Sequence, residues 1–418
     1  MKEITQAFLV GIRDEKMSAV EADSLTIELS SLVDTLGLAI VSQNIVRVRG
    51  NHARYGMGTG KAEELAEKAA SLEVDCIIFD RELSPSQQRN WENLAGISVI
   101  DRQELIIQIF ASRARTREAE LQVNLAELIY ALPRLQHKYI DLARQRGGRY
   151  GTRGSGETFF ETDRRRVEER IYKLEEELED LKRQRQVQRK QRERQAVPVC
   201  ALVGYTNSGK SSLLNALTGA GVLAEDKLFA TLDPTSRRLE LPLGRQVILV
   251  DTVGFIRRLP HSLVNAFRST LEEASCAALL LIVLDASDPD RQRQYETTLS
   301  VLRELGAGDI PAITVLNKID LIEHLEQADP DILKLYPDSV PVSAVKREGL
   351  MELCERIESA LSGEKKLFRF PPARTDLAAS IYRFGQVISE RYEEAYIEME
   401  ARVDKSTIGR LKEYIVNA

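Results

Sequence analysis

A glycine-rich segment that ends in lysine and serine lies near the middle of the chain. It reads Gly204-Tyr-Thr-Asn-Ser-Gly209-Lys210-Ser211 and matches the pattern GxxxxGK[ST]. An apolar stretch precedes it and a helical pattern follows it, which is the strand–loop–helix context that the motif requires. Glycines let backbone N–H groups surround phosphate oxygens, and a helix N-terminus adds positive partial charge. We expect Lys210 to neutralise the β- and γ-phosphates of a nucleotide and the Ser211 hydroxyl to hold Mg²⁺.

A second motif, of the form DxxG, follows another apolar strand. Val247–Val250 leads into Asp251-Thr-Val-Gly254. After a phosphate-binding loop, this order indicates an aspartate that reaches Mg²⁺ through water and a glycine N–H that contacts the γ-phosphate. The predicted reaction is therefore phosphoryl transfer to water.

The base-recognition residues lie further along the chain. Ile313–Leu316 leads into Asn317-Lys318-Ile319-Asp320, and Val340–Val342 precedes Ser343-Ala344. The Asp320 carboxylate can accept from guanine N1–H and the N2 amino group together, and the backbone N–H of Ser343-Ala344 can reach guanine O6. Adenine presents a mismatched edge, and a site with paired hydrogen bonds rejects such analogues. The sequence thus predicts a GTP site.

The composition sets the scale of the whole protein. The 418 residues are 43% hydrophobic and 29% charged with a net charge of −6, so wholesale disorder is excluded. The length predicts two to four domains. Four separated cysteines without a CxxC pair argue against a disulfide framework or a zinc site. With no long apolar segment, we expect a soluble, cytoplasmic protein.

Alternation of strands and helices divides the chain into four predicted parts. The fold class is α/β and multidomain: a P-loop GTPase domain preceded by a parallel α/β domain and a long helical hairpin, with a small α+β C-terminal domain. Residues 101–145 read as one helix that ends or kinks near Pro133, and the C-terminal helices are expected at Leu377–Ile388 and Lys405–Ile415. The predicted domains are residues 1–112, the hairpin 113–196 with its glycine-rich loop 147–157, the GTPase domain 197–362, and residues 365–418.

The charge is unevenly distributed. Residues 134–195 hold 18 lysines and arginines against 12 aspartates and glutamates, so this segment is basic although the chain is acidic. At the glycine-rich tip of the hairpin, Arg146, Arg149 and Arg153 are candidates for contact with RNA phosphates, because arginine supplies forked donors. The alternative is a solvated hairpin tip with ordinary helix-end arginines.

Residues 197–362 resemble the translational-factor branch of the P-loop GTPases. The resemblance identifies Phe229-Ala-Thr231-Leu-Asp-Pro-Thr as similar to the first switch loop of that branch, with Thr231 as the residue that senses Mg²⁺ and the γ-phosphate and Thr235 as a weaker rival. It implies catalytic roles for Lys210, Thr231 and Gly254, and Mg²⁺ ligation by Ser211, Thr231 and Asp251. The complete set of predicted nucleotide-binding residues is Gly204, Tyr205, Thr206, Asn207, Ser208, Gly209, Lys210, Ser211, Ser212, Phe229, Ala230, Thr231, Asp251, Thr252, Val253, Gly254, Asn317, Lys318, Asp320, Ser343, Ala344 and Val345.

Phe255 and Asn207 bear on the rate of hydrolysis. Phe255 occupies the position where Ras-like enzymes have a glutamine that orients the attacking water. A phenylalanine cannot do so, and we expect slow hydrolysis unless a partner supplies the missing group. Asn207 stands where some GTPases bind K⁺ beside the phosphates; a loop-stabilising role is the alternative.

The resemblance extends upstream to the HflX family of ribosome-associated GTPases. It implies binding to the large (50S) ribosomal subunit and its rRNA, with GTP-dependent splitting or rescue of stalled ribosomes that ribosomal contact stimulates; we expect the protein to be a monomer. The segments that carry it are Tyr55–Lys61, Phe79–Pro85, Val99–Arg102, Gln122–Ala126, the loop 147–157 and Asp163–Arg166.

Two alternative functions stay open at the level of sequence, together with the role of one glycine-rich segment. The protein could be a GTPase assembly factor for large-subunit maturation, or an RNA-binding module with the nucleotide as a regulatory ligand. Independently, Gly56-Met-Gly-Thr-Gly-Lys61 is either a structural turn at the start of a helix or a second site for a nucleotide or an RNA phosphate.

Overall fold

The structure is a computed structural model that describes residues 4–50, 52–145, 155–194, 197–221, 225, 227–258, 260, 263, 273–322, 335–403 and 405–416. The chain forms two compact units, each described by itself. The first comprises Met1–Arg183, Glu225–Asp233 and Ile256–Ser269, and the second comprises Gln184–Ala224, Pro234–Phe255 and Thr270–Ala418. Within the described ranges, no helix is long and apolar enough to cross a membrane.

The first unit contains a four-stranded parallel sheet with strand order β2-β1-β3-β4. Strand β3 is entirely apolar and buried, and β1 is buried from Ala7 to Ile12, as expected for the central strands of a parallel sheet that helices cover on both faces. The elements are β1 Gln6–Arg13, α1 Ala19–Thr35, β2 Ala39–Arg47, α2 Thr59–Ser71, β3 Cys76–Phe79, α3 Pro85–Ala95, β4 Ser98–Ile100 and α4 Arg102–Arg113.

The start of α3 shows how the sequence fixes a boundary. The Ser84 hydroxyl oxygen accepts from the N–H of Gln87, and Gln87 Oε1 accepts from the N–H of Ser84. Pro85 occupies the first helical position. This orientation buries Trp91 completely, and its indole N–H donates to the carbonyl of Tyr55 at 2.9 Å. The parallel α/β fold that the sequence predicts for the start of the chain is thus confirmed.

The prediction of one helix over residues 101–145 is wrong. Helix α4 ends at Arg113, and α5 spans Arg117–Gln145. Ala114 is extended and Thr116 begins the new helix, accepting from the N–H of Ala119 at 3.2 Å.

Pro133 neither ends nor starts a helix, because α5 continues through it. Helix α6 spans Ser155–Arg194. Leucines from both helices share one hydrophobic cluster, as the 4-3 spacing of the α6 leucines predicts for a coiled-coil seam; its members include Leu121, Leu125, Leu174, Leu178 and Leu181.

The second unit contains a six-stranded sheet with order β10-β9-β8-β5-β7-β6, in which only β6 is antiparallel to its neighbour. Helices packed on this sheet share an apolar cluster with its strands. The elements are β5 Val199–Gly204, α7 Lys210–Thr218, β6 Thr235–Glu240, β7 Gln246–Asp251, β8 Leu279–Asp285, α8 Arg291–Glu304, β9 Ala312–Asn317, β10 Val340–Pro341 and α9 Leu350–Leu361. The α/β fold class predicted from the sequence is confirmed.

The C-terminal part of the second unit is a four-stranded antiparallel sheet with order β12-β13-β11-β14. The predicted helix Leu377–Ile388 is too long, because α10 ends at Phe384 and β12 begins at Gly385. A Cβ at Gly385 would lie 2.5 Å from Val403 Cγ1, so only glycine allows the chain to pass there. The predicted helix Lys405–Ile415 is likewise too long, since residues 412–416 form a short 3-10 turn and a strand. The elements are β11 Glu364–Phe370, α10 Thr375–Phe384, β12 Gly385–Tyr392, β13 Ile397–Val403, α11 Lys405–Arg410 and β14 Ile415–Val416.

Candidate nucleotide site

The loop between β5 and α7 requires glycine at both of its ends. Gly204 has φ of +147°, and a Cβ there would lie 2.3 Å from the carbonyl oxygen of Val283. Gly209 has φ of +89°, and a Cβ there would lie 2.2 Å from Asn317 Nδ2. The loop backbone is therefore pressed against Val283 of β8 and Asn317 at the end of β9, with no room for a side chain at either glycine.

Lys210 is the first residue of α7 and its side chain is buried inside the loop. Its Nζ donates to the carbonyl oxygens of Tyr205 at 2.7 Å and Gly204 at 3.3 Å. Burial lowers the pKa of Lys210 to about 8, Asp251 partly opposes the shift, and Lys318 adds to it. Because a nucleotide phosphate would supply the negative charge that the protein environment lacks, this lysine is prepared for an anionic ligand.

The predicted Mg²⁺ ligands lie side by side. The Ser211 hydroxyl donates to Asp251 Oδ2 at 2.6 Å, and Asp251 is fully buried at the end of β7. A hydroxyl and a carboxylate are hard oxygen donors of the kind that Mg²⁺ prefers, and Mg²⁺ in nucleotide sites takes few protein ligands beside the phosphates. The donor set therefore fits this ion.

The residues after Asp251 form a turn that pairs with the phosphate-binding loop. The N–H of Phe255 donates to Gly204 O at 3.0 Å, and the N–H of Thr206 donates to Phe255 O at 2.7 Å. A Cβ on Gly254 would lie 2.5 Å from the Cα of Thr206. The Phe255 ring is buried, so its side chain offers nothing that could orient a water molecule.

The base-recognition residues are also brought together. Asn317 Nδ2 donates to the carbonyl of Ser208 at 3.0 Å, and its Oδ1 accepts from the N–H of Ala344 at 3.2 Å. The Ser343 hydroxyl donates to Asp320 Oδ1 at 2.6 Å. One carboxylate oxygen of Asp320 is thus held by Ser343, which fixes the orientation of the group that would read guanine. Val345, in contrast, is highly exposed.

Sequence reasoning missed Asp285, which forms an ion pair with Lys318. The Oδ2 of Asp285 lies 2.8 Å from Lys318 Nζ. The signal was present in the sequence, because Asp285 is the first polar residue after the apolar strand Leu279–Leu284 and therefore lies at the carboxyl edge of the sheet.

The predicted switch residues Phe229, Ala230 and Thr231 belong to the first unit. The Phe229 ring is buried and meets the ring of Phe110 edge to face at a centroid distance of 4.7 Å. The Asp233 carboxylate accepts from the Thr116 hydroxyl. It also accepts from the backbone N–H groups of Arg115 and Thr116, and both of these distances are 3.3 Å. This segment is held by α4 and the start of α5.

Sequence reasoning also missed Arg257 and Arg258, which follow the DxxG turn and belong to the first unit. Arg257 Nε contacts Glu28 at 3.2 Å, and Arg258 Nη1 contacts Asp80 at 3.2 Å. Arg102, almost fully buried, binds the same two carboxylates and donates to the carbonyl of Arg257 at 2.9 Å. Burial raises the pKa of Asp80, and the two arginines beside it oppose that shift.

The segment Gly56–Lys61 leads into α2. The residues just before it are anchored, since the side chain of Gln87 donates to the carbonyl of His52 at 3.2 Å and the Trp91 indole N–H donates to the carbonyl of Tyr55. Lys61 pairs with Glu64 at 2.6 Å on the exposed surface. These contacts account for the segment as the start of a helix, and ligand binding there stays a prediction.

The three arginines predicted to face RNA, Arg146, Arg149 and Arg153, lie outside the described residues, as does most of the glycine-rich loop 147–157.

The phosphate loop, the DxxG turn and the NKxD segment together define a P-loop GTPase, and residues 199–318 match the family model described as a 50S ribosome-binding GTPase. The chain belongs to the HflX family of GTPases and is a GTP hydrolase. It is 46% identical to the GTPase HflX of Akkermansia muciniphila over 99% of this chain and 98% of that protein.

Further matches cover the other parts of the chain. Residues 23–111 match the model described as the GTP-binding GTPase N-terminal region, and residues 113–192 match its middle region. The GTPase HflX of Caldanaerobacter subterraneus subsp. tengcongensis is 43% identical over 99% of this chain and 94% of that protein. That of Escherichia coli K12 is 42% identical over 88% and 86% respectively. The resemblance found in the sequence is confirmed.

Proposed function

We propose that this GTPase binds the large (50S) ribosomal subunit and uses GTP binding and hydrolysis to split or rescue stalled ribosomes. The observation that carries the proposal is the match of residues 199–318 to a 50S ribosome-binding GTPase, within a chain whose relatives align over nearly its full length. The basic character of residues 134–195 supports it, because RNA is bound mainly through its backbone and shape.

The site residues have separate roles in this proposal. Lys210 and the N–H groups of the loop bind the β- and γ-phosphates, and the Gly254 N–H contacts the γ-phosphate. Ser211 would hold Mg²⁺ directly, and Asp251 would reach it through water. When bound, Mg²⁺ neutralises charge on the phosphates. Water then attacks the γ-phosphate in line, and GDP and phosphate are released.

Stimulation by the ribosome follows from the buried ring of Phe255. No group at that position can orient water, so the intrinsic rate is low, and a group supplied by a partner raises such rates by about 10³–10⁵. The Arg146, Arg149 and Arg153 tip is the proposed RNA contact, which would sense the state of the subunit.

Potassium is a second proposed cofactor. Asn207 has φ of +60° in the phosphate loop, and its amide oxygen is a suitable ligand for K⁺ beside the phosphates. Equal turnover in K⁺ and Na⁺ buffers at the same ionic strength would exclude this role, and an Asn207→Ala variant that keeps K⁺ stimulation would exclude this residue.

Splitting is tested by sedimentation. Intact 70S ribosomes are incubated with the protein and a non-hydrolysable GTP analogue, and we expect an increase in free subunits. Lys210→Ala, which removes the phosphate-binding ammonium group, is the control and should leave the ribosomes intact. No increase with the wild-type protein would contradict splitting and favour a role in large-subunit assembly. Full ribosome-dependent function of Lys210→Ala would instead favour an RNA-binding module that needs no GTP.

A further inference from the structure

Asp285 is the last residue of β8 and has no assigned role in the site described above. It lies opposite Asn317 in the β8–β9 register, so it is next to the start of the Asn317–Asp320 segment. The six preceding residues of β8 are buried and apolar, whereas Asp285 is only partly buried. A carboxylate at this place, at the carboxyl edge of a largely parallel sheet, faces the region where such folds bind ligands.

The contacts of Asp285 hold it in one orientation. Its Oδ1 accepts from the backbone N–H of Ser287 at 3.0 Å and from the Ser287 hydroxyl at 2.5 Å. Its Oδ2 is 2.8 Å from Lys318 Nζ, and the Lys318 side chain is about three-quarters buried. Because one oxygen is fixed by Ser287, the other is a rigid acceptor for the lysine.

The backbone and the alkyl chain of Lys318 are constrained as well. Lys318 has φ of +63°, a conformation that residues other than glycine seldom adopt. Its Cε lies 4.0 Å from the position that a Cβ on Gly209 would take, so the alkyl chain runs beside the phosphate loop. Asp320, two residues on, is held by Ser343 at the base-reading position. The Lys318 chain therefore runs beside the phosphate loop and belongs to the same short segment as the group that reads the base edge.

We propose that Asp285 is a positioning residue for guanine nucleotides, which holds Lys318 so that the alkyl chain covers one face of the base. The proposal rests on the guanine site described above. Since a base face is shared by guanine and hypoxanthine, Asp285 sets the affinity for both nucleotides and does not distinguish them. Discrimination at the base edge belongs to Asp320.

A simpler role for Asp285 is to stabilise the turn after β8 through Ser287. Asp288 provides a matched control for that role, because its carboxylate also accepts within the same turn, from the Asp290 N–H and from Gln294 Nε2, each at 2.8 Å. Both aspartates thus stabilise the turn. Among the ion pairs of the described residues, Lys318 pairs only with Asp285.

The experiment measures equilibrium binding and dissociation of GDP and of inosine diphosphate in the full chain. Asp285→Asn is expected to weaken both by the same factor, about 5- to 20-fold, because it removes a charge-assisted bond. Asp288→Asn should stay within about two-fold of the wild type, by the same reasoning. In a Lys318→Met background, Asp285→Asn should have no further effect, which a purely structural role would not predict. Thermal unfolding of each variant checks that the fold is kept.

Two results would overturn the proposal: wild-type GDP binding by Asp285→Asn, or the same loss from Asp285→Asn whether residue 318 is lysine or methionine.

The underlying guanine site is tested separately. Asp320→Asn should exchange guanine for xanthine preference, because the amide donates where xanthine carries a carbonyl. Failure of that exchange would contradict the guanine site and leave the measured coupling between Asp285 and Lys318 as a separate result.

Discussion

At the scale of the residue, Lys210 belongs to the binding site but lowers the stability of the nucleotide-free protein. Its ammonium group is buried and bonded to two backbone carbonyls, and no carboxylate lies within ion-pair distance of it among the described residues. A buried charge that Asp251 compensates only in part is costly, and the protein retains it because phosphate completes the site. The lowered pKa of this lysine gives a test in the nucleotide-free protein.

We predict that Lys210→Met changes the pH dependence of stability. The pKa of Lys210 is about 8 in the folded protein and near its ordinary value of 10.5 in the unfolded chain. Between these values the unfolded chain binds the extra proton, so the stability of the folded wild type falls as the pH decreases from about 10.5 to 8. Methionine does not titrate. The melting temperature of Lys210→Met relative to the wild type should therefore be highest at pH 7–8 and decline towards pH 10.

Cys76 and Cys200, whose pKa values burial raises to about 12, titrate in both proteins, so taking the difference removes their contribution. A difference in melting temperature that does not change with pH would show that the buried lysine is not the source.

At the scale of the element, the sequence predicts what local residue types determine and fails where tertiary contacts decide. The apolar strands before the GTPase motifs are local signals, and they were sufficient to place the motifs at the ends of strands. The ends of α10 and of α4 were not predictable in this way. The residues near Gly385 carry a helical pattern up to Ile388, and only the approach of Val403 and Arg402 from another strand forces the change to an extended chain.

We predict that Gly385→Ala destabilises the C-terminal sheet by about 1–3 kcal/mol, because an added methyl group in a packed region causes strain. The new Cβ would lie 2.5 Å from Val403 Cγ1 and 2.8 Å from the carbonyl oxygen of Arg402. Hydrogen exchange of the amides in β12 and β13 should become faster by a corresponding factor.

Gly409→Ala is the matched control, since a Cβ on that helical glycine would meet nothing within 4 Å. It should leave exchange in the sheet unchanged. Equal protection of β12 and β13 in both variants would refute the steric account of where α10 ends.

At the scale of the whole molecule, residues far apart in sequence meet in one buried charge cluster of the first unit. Glu28 of α1, Asp80 after β3 and Arg102 of α4 meet Arg257 and Arg258 from the segment after the DxxG turn. The bond between Arg257 and Glu28 spans 229 positions. No local pattern announces such a cluster, which is why sequence reasoning found the motif residues and missed the arginines beside them.

We predict that Glu28→Ala destabilises the first unit by about 3–5 kcal/mol, since removing one partner leaves the buried Arg102 guanidinium undercompensated. Hydrogen exchange of the amides in β1 and β3 reports this loss.

Glu161→Ala serves as the comparison, because it breaks the exposed pair with Arg165 at 3.0 Å, and such pairs contribute about 0–1 kcal/mol. Similar effects of the two substitutions would contradict the importance assigned to burial of the cluster.

We propose that the large ribosomal subunit supplies the catalytic group that this GTPase lacks at Phe255. The most direct measurement is GTP turnover with and without purified 50S subunits, with Lys210→Ala as the inactive control. We expect slow turnover by the protein alone and an increase of about 10³-fold or more with subunits, because a partner then supplies a missing catalytic group. A wild-type rate that purified subunits leave unchanged would contradict it.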